Sequence, residues 1–167
     1  MASGDGTAPA PLPLVQSFAS TLPAGPGADP LAGRDDAVAW LRAAGLLPDG
    51  AGLTGSEHAA LLRLRAAIRD TLATHAGAAT DPGTAARLTK ALADGRLVIT
   101  VEPGGTIRLA SAARAVYPSL VATLAVAIAD AAAAGTWPHL KLCTAPHCGQ
   151  AFYGTTAGGR HCPAHAA

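Results

Sequence analysis

The sequence predicts a mainly helical protein with one β-hairpin and a small C-terminal metal-binding finger of treble-clef-like order. Apolar residues recur at helical spacing along most of the chain, the period changes to that of strands at 97–109, and all three cysteines lie in the last 25 residues. We therefore expect a disordered N-terminus at 1–11, a helical domain at 12–138 that contains the hairpin, and a finger module at 139–167.

The first two helices follow from apolar spacing and from end signals. Residues 12–22 carry an apolar side chain at every fourth position, which predicts a short helix. Asp35 or Asp36 can cap a second helix that runs to Ala44, because a carboxylate accepts the first free backbone N–H groups. Gly45 follows as the expected stop signal.

The next helices have clearer starts. Thr54-Gly-Ser-Glu57 is a capping box, and Asp81-Pro82 pairs an N-cap with proline at the first helical position. The runs Leu97–Val101 and Thr106–Leu109 flank Glu102-Pro-Gly-Gly105, where glycine supplies the positive φ of a hairpin turn. A long helix is then expected at about 117–134.

Charge and cysteine usage limit the function classes. The net charge is +1 and the sequence pI is about 7.8, which gives no general attraction to nucleic acid or anionic membranes. Odd, clustered cysteines favour reduced thiolates on a metal over a disulfide scaffold. The N-terminus does not resemble a signal peptide, and the alanine-rich stretch 120–134 is too weakly apolar to span a bilayer. We expect a soluble cytoplasmic protein with no membrane partner.

Four C-terminal side chains have the spacing of a zinc site: Cys143, Cys148, Cys162 and His165. A Cys-x4-Cys loop and a Cys-x-x-His turn supply the thiolate and imidazole ligands that zinc prefers in a tetrahedron. Such a closed set is structural rather than catalytic, so we predict a structural Zn²⁺ that replaces the core a module this small cannot build.

The fourth ligand is the open point of this assignment. His165 has the right spacing from Cys162, whereas His147 and His161 each adjoin a cysteine, and neighbouring residues rarely bind one ion together. His139 is a more distant alternative.

Several segments carry a family resemblance: Leu14 to Leu22, Asp29-Pro-Leu31, Ala39-Trp40-Leu41, Gly45-Leu-Leu47, the stretch Leu61 to Arg69, Leu142-Cys143-x4-Cys148-Gly149 and Phe152-Tyr153. In these segments and their order the chain resembles the ABATE-domain proteins with a C-terminal CGNR-type zinc finger, a family of stress-induced transcription regulators. The resemblance implies a helical sensing domain that passes a signal to a DNA-binding finger.

The family order also implies a small-molecule pocket between the helices and the hairpin. It places six side chains near that pocket: Ser17, Ser20, Thr21, Trp40, Arg65 and Arg69. Each has a simpler alternative, since a helical tryptophan is most often core, arginines most often form a solvated helix face, and serines are often exposed or cap helices.

The finger departs from the family pattern in ways that affect DNA binding. The family's basic run is replaced by residues 155–161, and the Cys-Gly-Asn-Arg end is absent, with Cys162-Pro-Ala-His165 in its place. Lys141 and Arg160 are the two Lys or Arg residues of 139–167, so they are the DNA-binding candidates and give little charge for phosphate contacts. A homodimer would double that charge.

We interpret the chain as a zinc-binding regulatory or accessory protein that senses a small molecule. The alternative is a small-molecule-binding protein or a zinc-dependent enzyme of specialised metabolism. In the enzyme, three cysteines and a water would hold the metal, and His147 or His161 would act as acid or base. No catalytic motif stands out, so no catalytic residue is assigned.

Overall fold

The computed structural model describes residues 8–22, 27–79, 81–155 and 159–166. Within these ranges helices dominate, with one long hairpin and a second pair of short strands, which confirms the predicted fold class. The elements are α1 (Pro13–Ala19), α2 (Arg34–Ala43), α3 (Gly55–His75), α4 (Gly83–Leu92), β1 (Leu97–Val101), β2 (Ile107–Ser111), α5 (Val116–Ala133), β3 (Leu140–Leu142) and β4 (Ala151–Tyr153), with 3₁₀ turns at Trp137–His139 and Pro163–His165.

One apolar cluster forms the core of the helical domain. It gathers side chains from α1, α2, α3 and α5, of which Phe18, Leu64 and Leu124 are fully buried. Leu140 of β3 and Ala151 of β4 belong to the same cluster. The strands of the finger therefore complete the helical core, while a small cluster of Cys143, Phe152 and Cys162 forms the interior of the finger itself. The domain division at 138/139 stays a prediction.

Helix α5 is the core helix of this arrangement. By length and composition alone it could cross a membrane, with a mean hydropathy of 1.6. Its buried residues include Leu120, Val121 and Leu124, which pack into the common core. This packing is that of a soluble protein.

The helix starts show where local signals were sufficient. Thr54 and Glu57 form the expected capping box: the Thr54 hydroxyl accepts from the Glu57 N–H at 3.2 Å, and the Glu57 carboxylate accepts from the Thr54 N–H at 2.7 Å. The cap predicted for α2 is wrong. Gly33 is the N-cap, without a side-chain bond, and Asp35 and Asp36 lie inside the first turn, where their charge favours the positive end of the helix dipole.

The predicted start of α4 is also displaced. The helix begins at Gly83 with Pro82 as its N-cap, one residue later than expected. The Asp81 carboxylate still accepts from the Gly83 N–H at 3.2 Å, so it serves the helix start from one residue further out.

The segment expected to be disordered is ordered in its described part. Ala8 is buried, and its N–H donates to the Gln16 side-chain oxygen at 2.7 Å. The Leu12 N–H donates to the Pro9 carbonyl at 3.0 Å, which closes a turn into α1. The remainder of the expected segment, residues 1–7, lies outside the described residues.

Strands β1 and β2 pair in antiparallel register, with Val101 opposite Ile107. Glu102 donates its N–H to the Thr106 carbonyl at 2.9 Å, and Gly105 has a φ of +81°, as the turn prediction requires. The hairpin therefore forms as predicted, and its second strand extends to Ser111. One of its faces carries apolar side chains that stay largely exposed.

Candidate metal centre and cavity

Cys143, Cys148, Cys162 and His165 meet at the end of the chain, with all four ligand atoms within 4.8 Å of one another. Cys143 directly follows β3, Cys148 lies on the connection to β4, Cys162 is the N-cap of the last 3₁₀ turn, and His165 is the final residue of that turn. We call these four residues the quartet. They are the four residues that the spacing nominated, and together they could hold a metal ion.

The distances within the quartet suit a tetrahedral ion. The Cys148 and Cys162 sulfurs are 3.8 Å apart, and His165 Nδ1 lies 3.3 Å from the Cys162 sulfur and 3.9 Å from the Cys143 sulfur. Zinc bonds of ordinary length imply tetrahedral edges of about 3.8 Å between two sulfurs and about 3.6 Å between sulfur and nitrogen. The residues therefore fit a zinc-sized ion with few adjustments.

The backbone around Cys148 shapes the quartet. His147 and Gly149 have φ values of +58° and +56°, so the chain turns sharply on both sides of the sulfur. Left-handed backbone is common for glycine and costly for most other residues, which explains Gly149 at this position. On the other side of the quartet, the Cys162 N–H donates to the Cys143 sulfur at 3.4 Å.

The thiols of the quartet are tuned differently. Burial raises the pKa of Cys148 to about 11, against the weaker effect of the Gln150 N–H. At Cys143 burial also opposes ionisation, but N–H groups of Cys162 and Ala145 and the neighbouring thiols outweigh it, and its pKa is lowered. A metal must displace the Cys148 proton, so binding to the quartet weakens as pH falls.

The other histidines near the finger lie outside the quartet. His147 and His161 are exposed, and the ring of His139 packs edge-on against Tyr153 with centroids 5.9 Å apart. His165 is thus the histidine that the fold brings to the three sulfurs.

Helices α1 and α3 hold the finger through side chains that bond its backbone. Gln16 Nε2 donates to the Ala151 carbonyl at 3.2 Å, and the Ala151 N–H donates to Ser20 Oγ at 3.2 Å. From α3, His75 Nδ1 lies 2.8 Å from the Leu140 carbonyl, and burial lowers the pKa of His75. A neutral ring that donates Nδ1–H to this carbonyl satisfies both observations.

A cavity of about 530 Å³ adjoins this contact, between α1, α2 and the finger. None of the described residues that line it is charged. Its polar wall consists of amides and hydroxyls, and one half-buried indole supplies an apolar surface. These residues are Gln16, Ser17, Ser20, Thr21, Gln150 and Trp40.

Four of the six predicted ligand-binding residues line this cavity: Ser17, Ser20, Thr21 and Trp40. The sequence did not nominate Gln16 or Gln150, because a lone glutamine on a short helix and another after a cysteine carry no pattern. Trp40 also packs against Phe18, with ring centroids 6.1 Å apart, so it belongs to the edge of the core and to the cavity.

The two predicted arginines, Arg65 and Arg69, lie elsewhere. Arg65 is buried and holds both Asp29 carboxylate oxygens, at 2.6 and 2.7 Å, and it also donates to Thr21 Oγ1 at 3.1 Å. Arg69 donates to the Ala19 carbonyl at 2.6 Å. Neither lines the cavity, and the solvated-face interpretation also fails for Arg65. Instead Arg65 supports the cavity wall from behind Thr21.

The two DNA-binding candidates differ in exposure. Lys141 is 5% exposed, and its ammonium group donates to the Gly159 carbonyl at 3.2 Å. Its charge is therefore not presented to a phosphate, which corrects that assignment. Arg160 is exposed, although its Nε donates to the Ala76 carbonyl at 3.1 Å and ties the finger to the end of α3.

The fold and the site together define a helical domain completed by strands that carry a Cys3His candidate metal centre. The family model ABATE, described as "Putative stress-induced transcription regulator", matches residues 12–135. Because the match covers well over half of the chain, this protein belongs to the ABATE family. The match ends before the finger, so the relation of the finger to CGNR-type zinc fingers rests only on the sequence resemblance described above. No curated protein sequence matches the chain.

Proposed function

We propose that this ABATE-family protein is a zinc-stabilised regulatory protein that binds a small neutral molecule in the cavity between α1, α2 and the finger. The observation that carries the proposal is the quartet, in which three of the separations between ligand atoms, 3.3, 3.8 and 3.9 Å, lie near the edges of a zinc tetrahedron. Bound zinc would join the last turn to the chain that follows β3 and precedes β4, and its binding free energy would add to the packing of these strands on the helical core.

The lining of the cavity indicates the class of ligand. The described residues that line the cavity carry hydroxyl and amide groups and no charge, which favours a neutral molecule that gives and accepts hydrogen bonds, and Trp40 offers an apolar surface for stacking. A pyranose sugar or a nucleoside has this chemistry. The volume of about 530 Å³ is within the range of small-molecule sites.

Zinc binding is tested by metal analysis of the purified protein. We expect one zinc per chain in the wild type and loss of the ion in Cys148→Ser, with most of the helical circular-dichroism signal retained. His161→Gln is the matched control, since His161 adjoins Cys162 but lies outside the quartet. Unchanged zinc content in Cys148→Ser would remove that residue from the ligand set and sink the proposal.

Direct DNA binding is the second candidate function, and membership of a transcription-regulator family favours it. The charge of the finger opposes it, because Lys141 is buried and Arg160 is the exposed cation. A titration of zinc-loaded protein with mixed genomic DNA fragments across a salt series distinguishes a DNA-binding finger from a structural one. Binding that weakens steeply with salt supports a DNA-binding regulator, whereas no binding at low salt assigns the finger a structural role.

The enzyme alternative is not favoured by the geometry. A catalytic zinc needs an open position for water, and the quartet already supplies four ligand atoms at suitable separations.

A further inference from the structure

Gln150 connects the cavity to the quartet. Its carbonyl accepts from the Cys143 N–H at 2.9 Å, and it follows Cys148 by two residues in the chain. Gln150 also lines the cavity. One residue therefore bonds the backbone of a quartet member and forms part of the cavity wall.

The next residue, Ala151, is held from the helical side. Its N–H donates to Ser20 Oγ and its carbonyl accepts from Gln16 Nε2, and both of these side chains line the cavity. Ala151 is 1% exposed, so this backbone cannot shift without disturbing the packed core. The chain from Cys148 to Ala151 is thus fixed at one end by the quartet and at the other by the cavity wall.

We propose that the cavity and the quartet are thermodynamically linked, so that a molecule bound between Gln16, Ser20 and Gln150 and a metal ion on the quartet each raise the affinity for the other. The inference rests on the proposed zinc site. A metal ion fixes Cys143 and Cys148, and with them the position of Gln150 and Ala151, so the cavity wall is formed before a ligand arrives. Reciprocity of binding free energies requires the converse effect of the ligand on the metal.

The linkage can be tested with zinc alone. Zinc affinity is measured by competition with a chelator for the wild type, Ser20→Ala, Gln16→Met and the control Ser17→Ala. We expect Ser20→Ala and Gln16→Met each to weaken zinc binding roughly threefold to tenfold, the equivalent of one net hydrogen bond. Ser17 lines the same cavity but does not bond Ala151, so Ser17→Ala should bind zinc like the wild type.

A second measurement uses Trp40 fluorescence to report on the cavity in the folded protein. The chain has two tryptophans, so a Trp137→Phe background leaves Trp40 as the single indole reporter. Zinc has no absorption of its own in this range, and Trp40 lies in the cavity and not in the quartet. We expect zinc to shift the Trp40 emission in this background. The shift should shrink when Ser20→Ala is added, even at saturating zinc.

The outcomes separate the linkage from the zinc site. The linkage would be overturned if the protein bound one zinc per chain but zinc did not change the Trp40 emission, and if Ser20→Ala and Gln16→Met bound zinc as tightly as the wild type. That result would leave the zinc proposal intact. Failure of the wild type to bind zinc would overturn both. Weakening of similar size in Ser17→Ala would show a general loss of stability, and this result also contradicts the linkage.

Discussion

At the scale of residues, Arg65 shows how a helical pattern can mislead. It interrupts the apolar stripe of α3, so its spacing suggests a solvated cation or a ligand contact. In the fold it is buried and bidentate with Asp29, which lies 36 residues away in sequence. A bidentate guanidinium satisfies a carboxylate in a fixed geometry, so this pair orients the chain before α2 against α3. The sequence near Arg65 gives no indication that Asp29 is its partner.

Breaking this ion pair should be costly. Asp29→Asn leaves the Arg65 guanidinium, 6% exposed, without its counter-charge, and we expect unfolding free energy to fall by about 3 kcal/mol. Chemical denaturation at neutral pH measures the loss. Glu102→Gln is the control, because the Arg108–Glu102 pair has a similar distance, 2.7 Å, but is highly exposed, and its loss should change little.

The same pair predicts the pH dependence of stability. The hydrogen bond from Arg65 holds the pKa of Asp29 below its ordinary value of 3.8. A carboxyl whose pKa is depressed by folding stabilises the protein fully above its ordinary value and loses that contribution as pH falls through the folded value. The wild type and Asp29→Asn should therefore differ less in their free energy of unfolding below about pH 4 than at neutral pH. A constant difference down to strongly acidic pH would contradict this assignment.

At the scale of elements, the close packing of the segment after α4 against α5 requires a glycine at position 95. A Cβ on Gly95 would lie 2.8 Å from the Ala122 backbone nitrogen and 3.0 Å from its Cα. Because these are backbone atoms of the core helix, they cannot turn aside as a flexible side chain would. A glycine after a helix is a common stop signal, and the close approach of Gly95 to α5 could not be inferred from that local pattern.

Gly95→Ala should therefore separate α4 from α5 and lower unfolding free energy by about 1–3 kcal/mol. Gly52→Ala is the matched control, since a Cβ there meets nothing within 4 Å. We expect the control to stay within about 0.5 kcal/mol of the wild type in the same denaturation experiment. Equal losses in both variants would show that the contact with α5 does not set the cost.

At the scale of the whole molecule, the finger is built into the helical core. Leu140 and Ala151 are buried in the main apolar cluster, and His75 and Arg160 bond across the boundary between finger and helices. Metal removal should therefore weaken the entire protein and not only its last residues. Loss of the metal would loosen β3 and β4, and with them the helices that pack against these strands.

A chelator should move a single cooperative thermal transition to lower temperature. If free zinc is about a thousandfold above its dissociation constant, bound metal contributes roughly 4 kcal/mol, equivalent to a shift of roughly 10 °C for a chain of this size. Circular dichroism of the helices measures the transition, and Cys148→Ser should show no chelator dependence. A helical transition unchanged by chelator would identify the finger as an independent module.

The sequence predicted what local chemistry determines. The capping box at Thr54 and the hairpin turn at Gly105 each depend on a few neighbouring positions, and the spacing of the quartet is visible within the last 25 residues. The unpredicted features join distant segments: Gln16 reaches Ala151 across 135 residues, and Lys141 is buried by a fold that its neighbours do not reveal. Those contacts depend on packing, which no single stretch of sequence encodes.

The shared core of helices and finger also constrains how this chain can diverge. Thr155 and His161, at the two ends of the segment that replaces the family's basic run, are exposed and lie outside that core, so substitution there should cost little. Leu140 and Ala151 have no such freedom, since each substitution there is also a substitution in the helical domain. Cysteines beside these strands would then be retained by selection for folding alone.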